Sequence, residues 1–374
     1  MDSCDVLIVG GGPAGSACAQ RLRSAGLDVV VMDKAAFPRD KVCAGWITPQ
    51  VIDDLGIDPA DYRAGRTFQP ITGFRVGIIG RDDAVDVSYD RPVSFGIRRC
   101  EFDHYLLRRS GARLLVDGVS TVRRAGAKWI VNERIEAAML VGAGGHFCPV
   151  ARLLNGQPDR ATLVAAREAE FPIDPEDAPG VAVTAERPEL YFCRDFTGYG
   201  WCFRKEQHLN VGFGRIRAQA LPRDTSEFVM FLTSTRRIAA AKSWPWRGHA
   251  YLVAGRRRIV DDGVVLVGDA AGLAYPQSGE GIRPAIESGL LAASVIVEAA
   301  RQYSRDRLDP YGHQLASRFG TSAFAGAMSR AVSALRPDRW AALLVRMPWF
   351  VRHVVLDQWF LHARQQALRA TTSA

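Results

Sequence analysis

The sequence predicts an α/β fold with a parallel sheet, and two segments carry this prediction. Near the N-terminus, residues 5–33 have the pattern of a buried strand, a glycine-rich turn, a helix and a second strand. Far downstream, a strand at 264–267 leads through a glycine-rich loop into a helix from about Arg283. Strands that alternate with helices in this way form parallel sheets. A β-rich stretch at 161–254 and a helical stretch after residue 300 complete the organisation.

Size and composition are those of an ordinary globular protein. The chain has 374 residues, 48% hydrophobic and 24% charged, which allows a large core and roughly two or three domains. Seven scattered cysteines without metal-ligand spacing favour reduced thiols in a cytoplasm. The net charge is +8, but no basic stripe interleaved with aromatics suggests nucleic-acid binding. We expect no leader peptide, and no apolar run reaches the ~18 residues of a membrane-spanning helix.

The turn after the first strand has the spacing of a dinucleotide-binding loop. Gly10, Gly12 and Gly15 form the pattern G-x-G-x-x-G. The first glycine permits a sharp turn, the second lets backbone approach a pyrophosphate, and the third lets the helix pack closely on the strand. Asp33 ends the second strand, where a carboxylate accepts hydrogen bonds from ribose hydroxyls. An acid here favours FAD or NAD over NADP, and we assign its neighbour Lys34 to the same site.

The second glycine-rich loop decides between FAD and NAD. Gly268 and Asp269 follow a strand, at a place from which they reach a ribityl chain or a phosphate. Glycines in the loop permit close approach to a flat ring, and the next helix offers its positive N-terminus to the flavin. The segment therefore indicates FAD. The residues assigned to the cofactor here are Gly268, Asp269, Gly279, Gly281 and Ile282.

A third segment, "GIRRCEFDHYLLRRSGARLLV" at 96–116, predicts a helix that begins near Arg99 and has Phe102 and Leu106 at core spacing. An arginine beside a bound dinucleotide clamps a phosphate or a ribose. A solvated surface arginine is the alternative that spacing alone leaves open. Lys41, which lies far upstream of this segment in the sequence, is also assigned to the cofactor.

With these three segments the chain resembles the p-hydroxybenzoate hydroxylase-like flavoprotein superfamily and, within it, the geranylgeranyl reductase family, over roughly residues 1–300. "PRDKVCAGWITP" at 38–49 is similar to the reductases' P-R-x-K-x-C-G-G segment, and "GYGWCFRK" at 198–205 to their Y-x-W-x-F-P-K strand. The resemblance implies a Rossmann-type FAD-binding domain, three-layer and p-hydroxybenzoate hydroxylase-like, with a β-sheet substrate domain and a helical C-terminal region. The implied bounds are 1–70, 95–160 and 255–300 for the FAD domain, 71–94 and 161–254 for the substrate domain, and 301–374 for the helical region.

Three departures from the family pattern matter. Ala44 stands where the reductases have glycine, and Arg204 where they have proline. The superfamily motif G-A-D-G becomes "GAGG" at 142–145. In hydroxylases of this fold the missing aspartate helps hold FAD and the nicotinamide donor. The electron donor therefore stays open among NAD(P)H, a ferredoxin and a flavin reductase.

The resemblance places Cys43 beside the isoalloxazine ring. Reducing an isolated C=C bond needs a proton on one carbon and a hydride on the other, and aromatic faces in a dry pocket stabilise the cationic character that develops. Glu280 or a flavin-bound water is the candidate acid. The candidate catalytic residues are Cys43, Tyr199 and Trp201, and the candidate substrate-binding residues are Trp46, Phe203 and Pro276. The plainer alternatives are that Cys43 is a small buried hydrophobe and that the aromatic stripe is sheet core.

Three functions follow from these observations. The favoured one is an FAD-dependent oxidoreductase that reduces an isoprenoid C=C bond in a lipid, a quinone or a pigment precursor. The second is an FAD-dependent monooxygenase, a hydroxylase or less readily a halogenase, with an aromatic or apolar small molecule as substrate. The third is a non-redox role for reduced FAD as an electrostatic catalyst.

The C-terminal stretch 339–370 predicts a basic amphipathic helix. Such a helix is compatible with a membrane interface, with the cap of an apolar tunnel, or with ordinary core packing. The expected location is the cytoplasm, with membrane association under the first of these three interpretations.

Overall fold

The computed structural model describes residues 1–156, 163–216, 218–239, 244–252, 257–320 and 337–368, of which 218, 252 and 337–340 are described by backbone only. The chain divides into two compact units. Unit 1 comprises Met1–Asp40, Cys100–Thr162 and Tyr251–Ala325, and unit 2 comprises Lys41–Arg99, Leu163–Ala250 and Gly326–Ala374. The domain bounds expected from the sequence stay a prediction.

The strands of the described residues are, in chain order, β1 (Asp2–Val9), β2 (Val29–Asp33), β3 (Trp46–Ile47), β4 (Gln69–Ile71), β5 (Gly73–Ile78), β6 (Val85–Ser88), β7 (Ser94–Gly96), β8 (Arg113–Val116), β9 (Val122–Ala125), β10 (Lys128–Val131), β11 (Ile135–Gly142), β12 (Leu163–Pro172), β13 (Glu189–Phe192), β14 (Gly198–Lys205), β15 (His208–Arg215), β16 (Arg247–Leu252), β17 (Val260–Asp261) and β18 (Val264–Leu266). The helices are α1 (Pro13–Ser24), α2 (Pro49–Leu55), α3 (Pro59–Arg63), α4 (Arg99–Arg109), α5 (Pro149–Asn155), α6 (Leu221–Ser234), α7 (Ile282–Glu298), α8 (Arg305–Phe319), α9 (Pro337–Leu344) and α10 (Pro348–Phe350), which continues as a π-helical segment, Val351–Phe360.

Unit 1 is built on a mainly parallel sheet with the order β17–β18–β11–β1–β2–β8. The pairs β18–β11, β11–β1, β1–β2 and β2–β8 are parallel, while β10 pairs antiparallel with β11 and β9. Alternate residues of β1 enter different cores: Val6 and Ile8 pack on one face, and Leu7 and Val9 on the other. A strand covered on both faces must be apolar throughout, which explains the continuous run at the N-terminus. The predicted α/β fold with a parallel sheet is confirmed.

Small residues let α1 and α7 approach closely in unit 1. A Cβ added to Gly289 on α7 would collide with the carbonyl oxygen of Ala14 and lie 3.2 Å from the Cys18 nitrogen. At Gly268, where φ is +59°, an added Cβ would lie 3.1 Å from the Cβ of Ala14 and 3.2 Å from that of Ala285. These contacts fix the start of α1 against the loop that precedes α7. Glycine at 289 is a requirement that the sequence motifs do not include.

Unit 2 is built on a second, mainly antiparallel sheet with the order β16–β12–β15–β14–β13–β5–β6. The polar turn "RKEQH" at 204–208 joins β14 to β15, which pair as an antiparallel hairpin. One face of this sheet packs on α6, with Cys202 and Phe213 in the core beside Phe228 and Leu232. The residues that alternate with Cys202, including Trp201, therefore belong to the opposite face. A three-stranded sheet, β3–β7–β4, completes the strands of this unit.

The C-terminal part of unit 2 is not one continuous helix. The helical structure is interrupted at Met347, between α9 and α10. The backbone of Met347 is extended before Pro348, as expected for a residue that precedes proline. Helical structure ends at Phe360, so the predicted helix over 339–370 is too long at its C-terminal end among the described residues. Val351, Val355 and Leu356 are fully buried. No helix in the described part of the chain is long and apolar enough to cross a membrane.

Candidate functional site

The first and third glycines of the G-x-G-x-x-G turn in unit 1 stand where a side chain has no room. Gly10 has φ +111°, and an added Cβ would lie 2.7 Å from the Gly144 nitrogen. An added Cβ on Gly15 would overlap the carbonyl oxygen of Gly10. At Gly12 the space is open except for the Arg39 guanidinium 3.7 Å away. The first and third glycines thus close the turn, and the second leaves room beside the helix for a ligand.

The start of α1 is suited to an anion. Gly12 is the N-cap residue, no side chain caps the helix, and the first turn carries no acidic residue. Unpaired N–H groups and the helix dipole together attract phosphate at such an end. The turn therefore fits the pyrophosphate of a dinucleotide.

Asp33 is held in place for a neighbouring ligand. Its carboxylate accepts hydrogen bonds from the backbone N–H of Gly11 at 2.8 Å and of Ala35 at 3.0 Å. Arg39 lies 3.7 Å from the same carboxylate and 3.6 Å from the buried Asp103. Each carboxylate oxygen has a second lone pair, so Asp33 can still accept the hydroxyls of a ribose. Lys34, its predicted partner in this role, points to solvent.

The second cofactor loop of unit 1 is also closely packed. Gly279 has φ +68°, and an added Cβ would collide with the hydroxyl of Tyr251. Gly281 is the N-cap of α7, again without a side-chain cap, and an added Cβ there would lie 3.2 Å from Asp269 Oδ1. Gly268 N–H donates to Ser288 Oγ at 2.9 Å. Ile282, the first residue of α7, is buried.

Glu280 stands in this loop with one carboxyl oxygen unsatisfied. Oε1 accepts the backbone N–H of Arg283 at 2.8 Å, whereas the buried Oε2 has no hydrogen-bond partner among the residues that the structure describes. Burial raises the pKa of Glu280 to about 7. A carboxyl with a buried unpaired oxygen favours its neutral form, so Glu280 can keep a proton near neutral pH.

Two residues assigned to the cofactor lie in unit 2 rather than unit 1. Arg99 is the first residue of α4 and is buried, 8% exposed, so it is not a solvated surface arginine. Lys41 is half-buried and its Nζ lies 2.8 Å from His249 Nε2. Pro276, assigned to substrate binding, is exposed and belongs to unit 1.

Two of the predicted catalytic residues, Cys43 and Trp201, are connected in unit 2 through the side chain of Asn210, which is fully buried. Asn210 Nδ2 donates to the carbonyl oxygen of Cys43 at 3.2 Å, and Asn210 Oδ1 accepts the indole N–H of Trp201 at 2.7 Å. The indole nitrogen can only donate and the carbonyl can only accept, so these partners fix the orientation of the amide. One side chain therefore joins two of the predicted catalytic residues.

Two backbone N–H groups, those of Cys43 and Gly45, hold the loop that carries Cys43 in place. The Cys43 N–H donates to Glu168 Oε2 at 2.5 Å, and the Gly45 N–H approaches Cys43 Sγ at 3.4 Å. Gly45 has φ +68°, and an added Cβ would collide with Lys205 Nζ and with the carbonyl oxygen of Ile97. Glycine is therefore required two residues after the cysteine, while Ala44 between them is tolerated.

A buried charge network lies beneath this loop. Lys205, 1% exposed, contacts Glu170 Oε2 at 2.7 Å, Arg98 contacts Glu170 Oε1 at 3.1 Å, and Asn210 Nδ2 donates to Glu170 Oε2 at 3.0 Å. Burial would raise the pKa of Glu170, but Lys205, Asn210 and Arg98 outweigh it and lower the pKa to about 2. Burial raises the pKa of Glu168 to about 7 despite Lys205 nearby. The two carboxyls, two residues apart on β12, thus differ in charge below pH 7.

Aromatic side chains surround the loop on the same side of unit 2. Trp46 stacks on Phe203 at 5.0 Å between ring centroids and meets Phe360 edge-on at 5.7 Å. Tyr199 lies 6.0 Å from Trp201 and 5.2 Å from Phe360. Trp46, Phe203 and Trp201 are buried, whereas Tyr199 is partly exposed. The C-terminal π-helical segment thus packs on this aromatic cluster, as the ordinary core interpretation of that stretch expects.

Comparisons with known proteins bear on the cofactor and on the class of enzyme. A family model described as an FAD binding domain matches residues 3–78. The chain is 29% identical over 352 residues to the menaquinone reductase of Mycobacterium tuberculosis, covering 85% of this chain and 81% of that protein. It is 29% identical to the digeranylgeranylglycerophospholipid reductase of Methanothrix thermoacetophila, covering 79% and 78%.

Solved structures share the fold. A geranylgeranyl bacteriochlorophyll reductase-like protein from Thermoplasma acidophilum superimposes with a TM-score of 0.77 at 22% identity, covering 92% of this chain and 91% of that one. A mutant of the halogenase PltM in complex with FAD gives 0.69 at 18% identity, covering 85% and 74%.

The geometry of the glycine-rich turn, the matching family model and these relatives identify the chain as an FAD-dependent oxidoreductase, and its cofactor is FAD. It has a Rossmann-type FAD-binding domain and shares its fold with the geranylgeranyl bacteriochlorophyll reductase-like structure. In sequence it is similar to menaquinone reductase and to digeranylgeranylglycerophospholipid reductase.

Several residues of the site escape the sequence motifs. Glu168, Glu170 and Asn210 stand in strands with the ordinary alternation of a sheet. No sequence motif marks them as polar residues on a buried face. The register of β12 and β15, which pairs Glu170 with Asn210, brings them together. A stretch "REAEF" with two acids on one face of a predicted strand is the only local signal.

Proposed function

We propose that the chain reduces a C=C bond of an isoprenoid chain on a lipid, a quinone or a pigment precursor. When bound, FAD supplies the hydride for this reaction. The observation that carries the proposal is the connection of Cys43 to Trp201 through Asn210, since it ties the backbone of a half-buried cysteine to the N–H edge of a buried indole ring. The named relatives that act on geranylgeranyl lipids and on menaquinone support the same substrate class.

The residues of unit 1 hold the cofactor in this proposal. The start of α1 binds the pyrophosphate, and Asp33 accepts the ribose hydroxyls, because its carboxylate is oriented by Gly11 and Ala35. The start of α7 at Gly281 offers positive potential to a flavin ring. Glu280 stores a proton beside that helix start, because its pKa lies near 7.

The residues of unit 2 bind and polarise the alkene. The partly exposed ring of Tyr199 and the buried ring of Trp201 present π faces, which stabilise positive charge on an alkene carbon by about 0.5–2 kcal/mol each. Trp46 and Phe203 provide apolar contact for the isoprenoid chain. Cys43 orients the double bond and relays the proton, with its peptide fixed by Glu168 and Asn210.

The proposal is tested by product mass under anaerobic conditions. Photoreduced protein is incubated with a digeranylgeranyl phospholipid, which has no quinone ring to reduce, and the product is expected to gain two mass units for each double bond reduced. In Cys43→Ala the rate is expected to fall on the order of 10²-fold, the usual contribution of a proton-transferring side chain. Cys4→Ala is the matched control, since Cys4 lies on β1 of unit 1. An unchanged substrate with fully reduced flavin contradicts the proposal.

We further propose that an apolar corner of unit 2 contacts the lipid surface from which such a substrate comes. The corner runs from the end of α9 to the start of α10, where Leu343, Leu344, Met347 and Trp349 are 50%, 39%, 46% and 65% exposed. Exposed Arg346 lies among them. Tryptophan and arginine beside exposed aliphatic residues are typical of segments that lie in the headgroup region of a bilayer.

Vesicle cosedimentation checks this corner. The protein is expected to bind vesicles that contain anionic phospholipid, and Trp349→Ser is expected to weaken binding about tenfold because a large apolar side chain no longer inserts. Met230→Ser is the control, since Met230 is 63% exposed on α6 of the same unit. Equal loss in both variants, or no binding by the unaltered protein, would show that the corner has another role.

A further inference from the structure

Glu168 is a buried acid that contacts the backbone of the loop carrying Cys43, and this contact indicates a role beyond packing. It is 6% exposed, and its Oε2 accepts the N–H of Cys43 at 2.5 Å. Asn210 donates to the carbonyl of the same residue, so both polar groups of the Cys43 unit are held by side chains that project from the sheet. The N–H and the C=O of Cys43 belong to the two peptide groups on either side of its Cα. When both are held, the backbone at Cys43 has little freedom to rotate, and the point from which the thiol projects is fixed.

The other members of the network cannot replace Glu168. Glu170 is occupied by Lys205 and Arg98. Lys205 also blocks the space next to Gly45, which prevents the loop from settling closer to the sheet. Glu168 is therefore the group within this cluster whose charge can change while the rest stays fixed, and its burial, which raises its pKa to about 7, puts that change near neutral pH.

We propose that Glu168 and Asn210 are positioning residues for Cys43, and that Glu168 holds the loop more firmly when ionised than when protonated. An ionised acceptor forms a hydrogen bond roughly twice as strong as a neutral one. Among the described residues, the charged groups that act on Glu168 are Lys205 on β14 and Glu170 on β12. Arg98, before α4, contacts Glu170 rather than Glu168. The part that concerns rate rests on the proposed function, and the part that concerns the loop does not.

Amide hydrogen exchange of the FAD-loaded protein measures the hold directly, because the bond in question is made by the Cys43 N–H. After correction for intrinsic exchange, protection of the peptide that spans 42–46 is expected to rise between pH 6 and pH 8. In Glu168→Gln the pH dependence is expected to vanish, and in Glu168→Ala protection is expected to fall about tenfold, the factor for one hydrogen bond to a charged group. Glu176→Gln, an exposed acid of the same unit, is the control.

The rate of alkene reduction provides the second readout. In the unaltered protein kcat is expected to rise with pH as Glu168 ionises and to fall again as Glu280, the proposed proton store, loses its proton. In Glu168→Gln the rising limb is expected to be lost, while the fall at higher pH remains and KM stays the same. If the exchange results hold but no alkene is reduced by any variant, the proposed function fails and the positioning role stands. If alkene is reduced and Glu168→Gln changes neither loop protection nor the pH profile, the positioning role is wrong. A loss of protection spread over the whole unit would likewise overturn it, since it indicates a general effect on folding.

Discussion

Replacing Glu170 by glutamine is expected to lower the free energy of unfolding by about 3 kcal/mol at pH 7, the lower end of the range for breaking a buried ion pair. The ammonium group of Lys205 is 1% exposed and lies 2.7 Å from Glu170, so the variant leaves a buried cation without its main anion. Urea unfolding followed by fluorescence and by circular dichroism measures the difference.

The pH dependence of stability has a definite sign for this residue. The pKa of Glu170 is lowered from its ordinary value of 4.5 to about 2, so its contribution is complete above about pH 4.5 and is lost as the pH falls towards 2. The unaltered protein and Glu170→Gln should therefore converge in acid. Glu176→Gln, at an exposed site, should stay within about 0.5 kcal/mol of the unaltered protein. A difference between Glu170→Gln and the unaltered protein that is equally large at pH 3 and pH 7 would contradict this account.

Gly10→Ala is expected to weaken FAD binding about 10- to 100-fold, by the usual cost of a strained backbone conformation at a site. Gly10 has φ +111°, and an added Cβ would press on the backbone of Ala143 and Gly144. To avoid that contact the turn must shift relative to the start of α1, which is the proposed binding place of the pyrophosphate. Flavin fluorescence titration of the apoprotein measures the change.

Gly26 provides the matched control for that experiment. It also has positive φ, +82°, but an added Cβ meets nothing within 4 Å. Gly26→Ala is therefore expected to lower stability by about 1 kcal/mol through backbone strain and to leave the affinity for FAD unchanged. Equal affinities in Gly10→Ala and Gly26→Ala would show that the turn does not bind the cofactor.

The fold of unit 1 could be predicted because its determinants are local. The apolar strands, the glycine spacing and the acid at Asp33 all lie within one βαβ segment of the chain, and each has a physical reason that a single sequence displays. Gly289 shows where this stops. Its need for a hydrogen in place of a side chain comes from Ala14, which lies 275 residues earlier in the chain and meets it only after folding.

The candidate site of unit 2 was predictable only in part for the same reason. Cys43 and Trp201 stand out by a resemblance to known motifs, but Asn210, which joins them, depends on the pairing of β14 with β15 and on the placement of a distant loop. Glu168 and Glu170 look equivalent in the sequence. Their different pKa values arise from Lys205, which reaches the pair across the sheet.

The central claim is that the reduced cofactor passes its electrons to an alkene, and reoxidation of the flavin tests it most directly. Photoreduced protein is mixed in a stopped-flow instrument, without oxygen, with a geranylgeranylated phospholipid, which has no quinone ring, and the flavin absorbance is followed. The account predicts that the oxidised spectrum returns at a rate that depends on alkene concentration, and that the return is slowed in Cys43→Ala. If the flavin stays reduced with every alkene, and air instead gives a transient peroxide adduct before the oxidised spectrum returns, the protein is a monooxygenase and the claim is wrong.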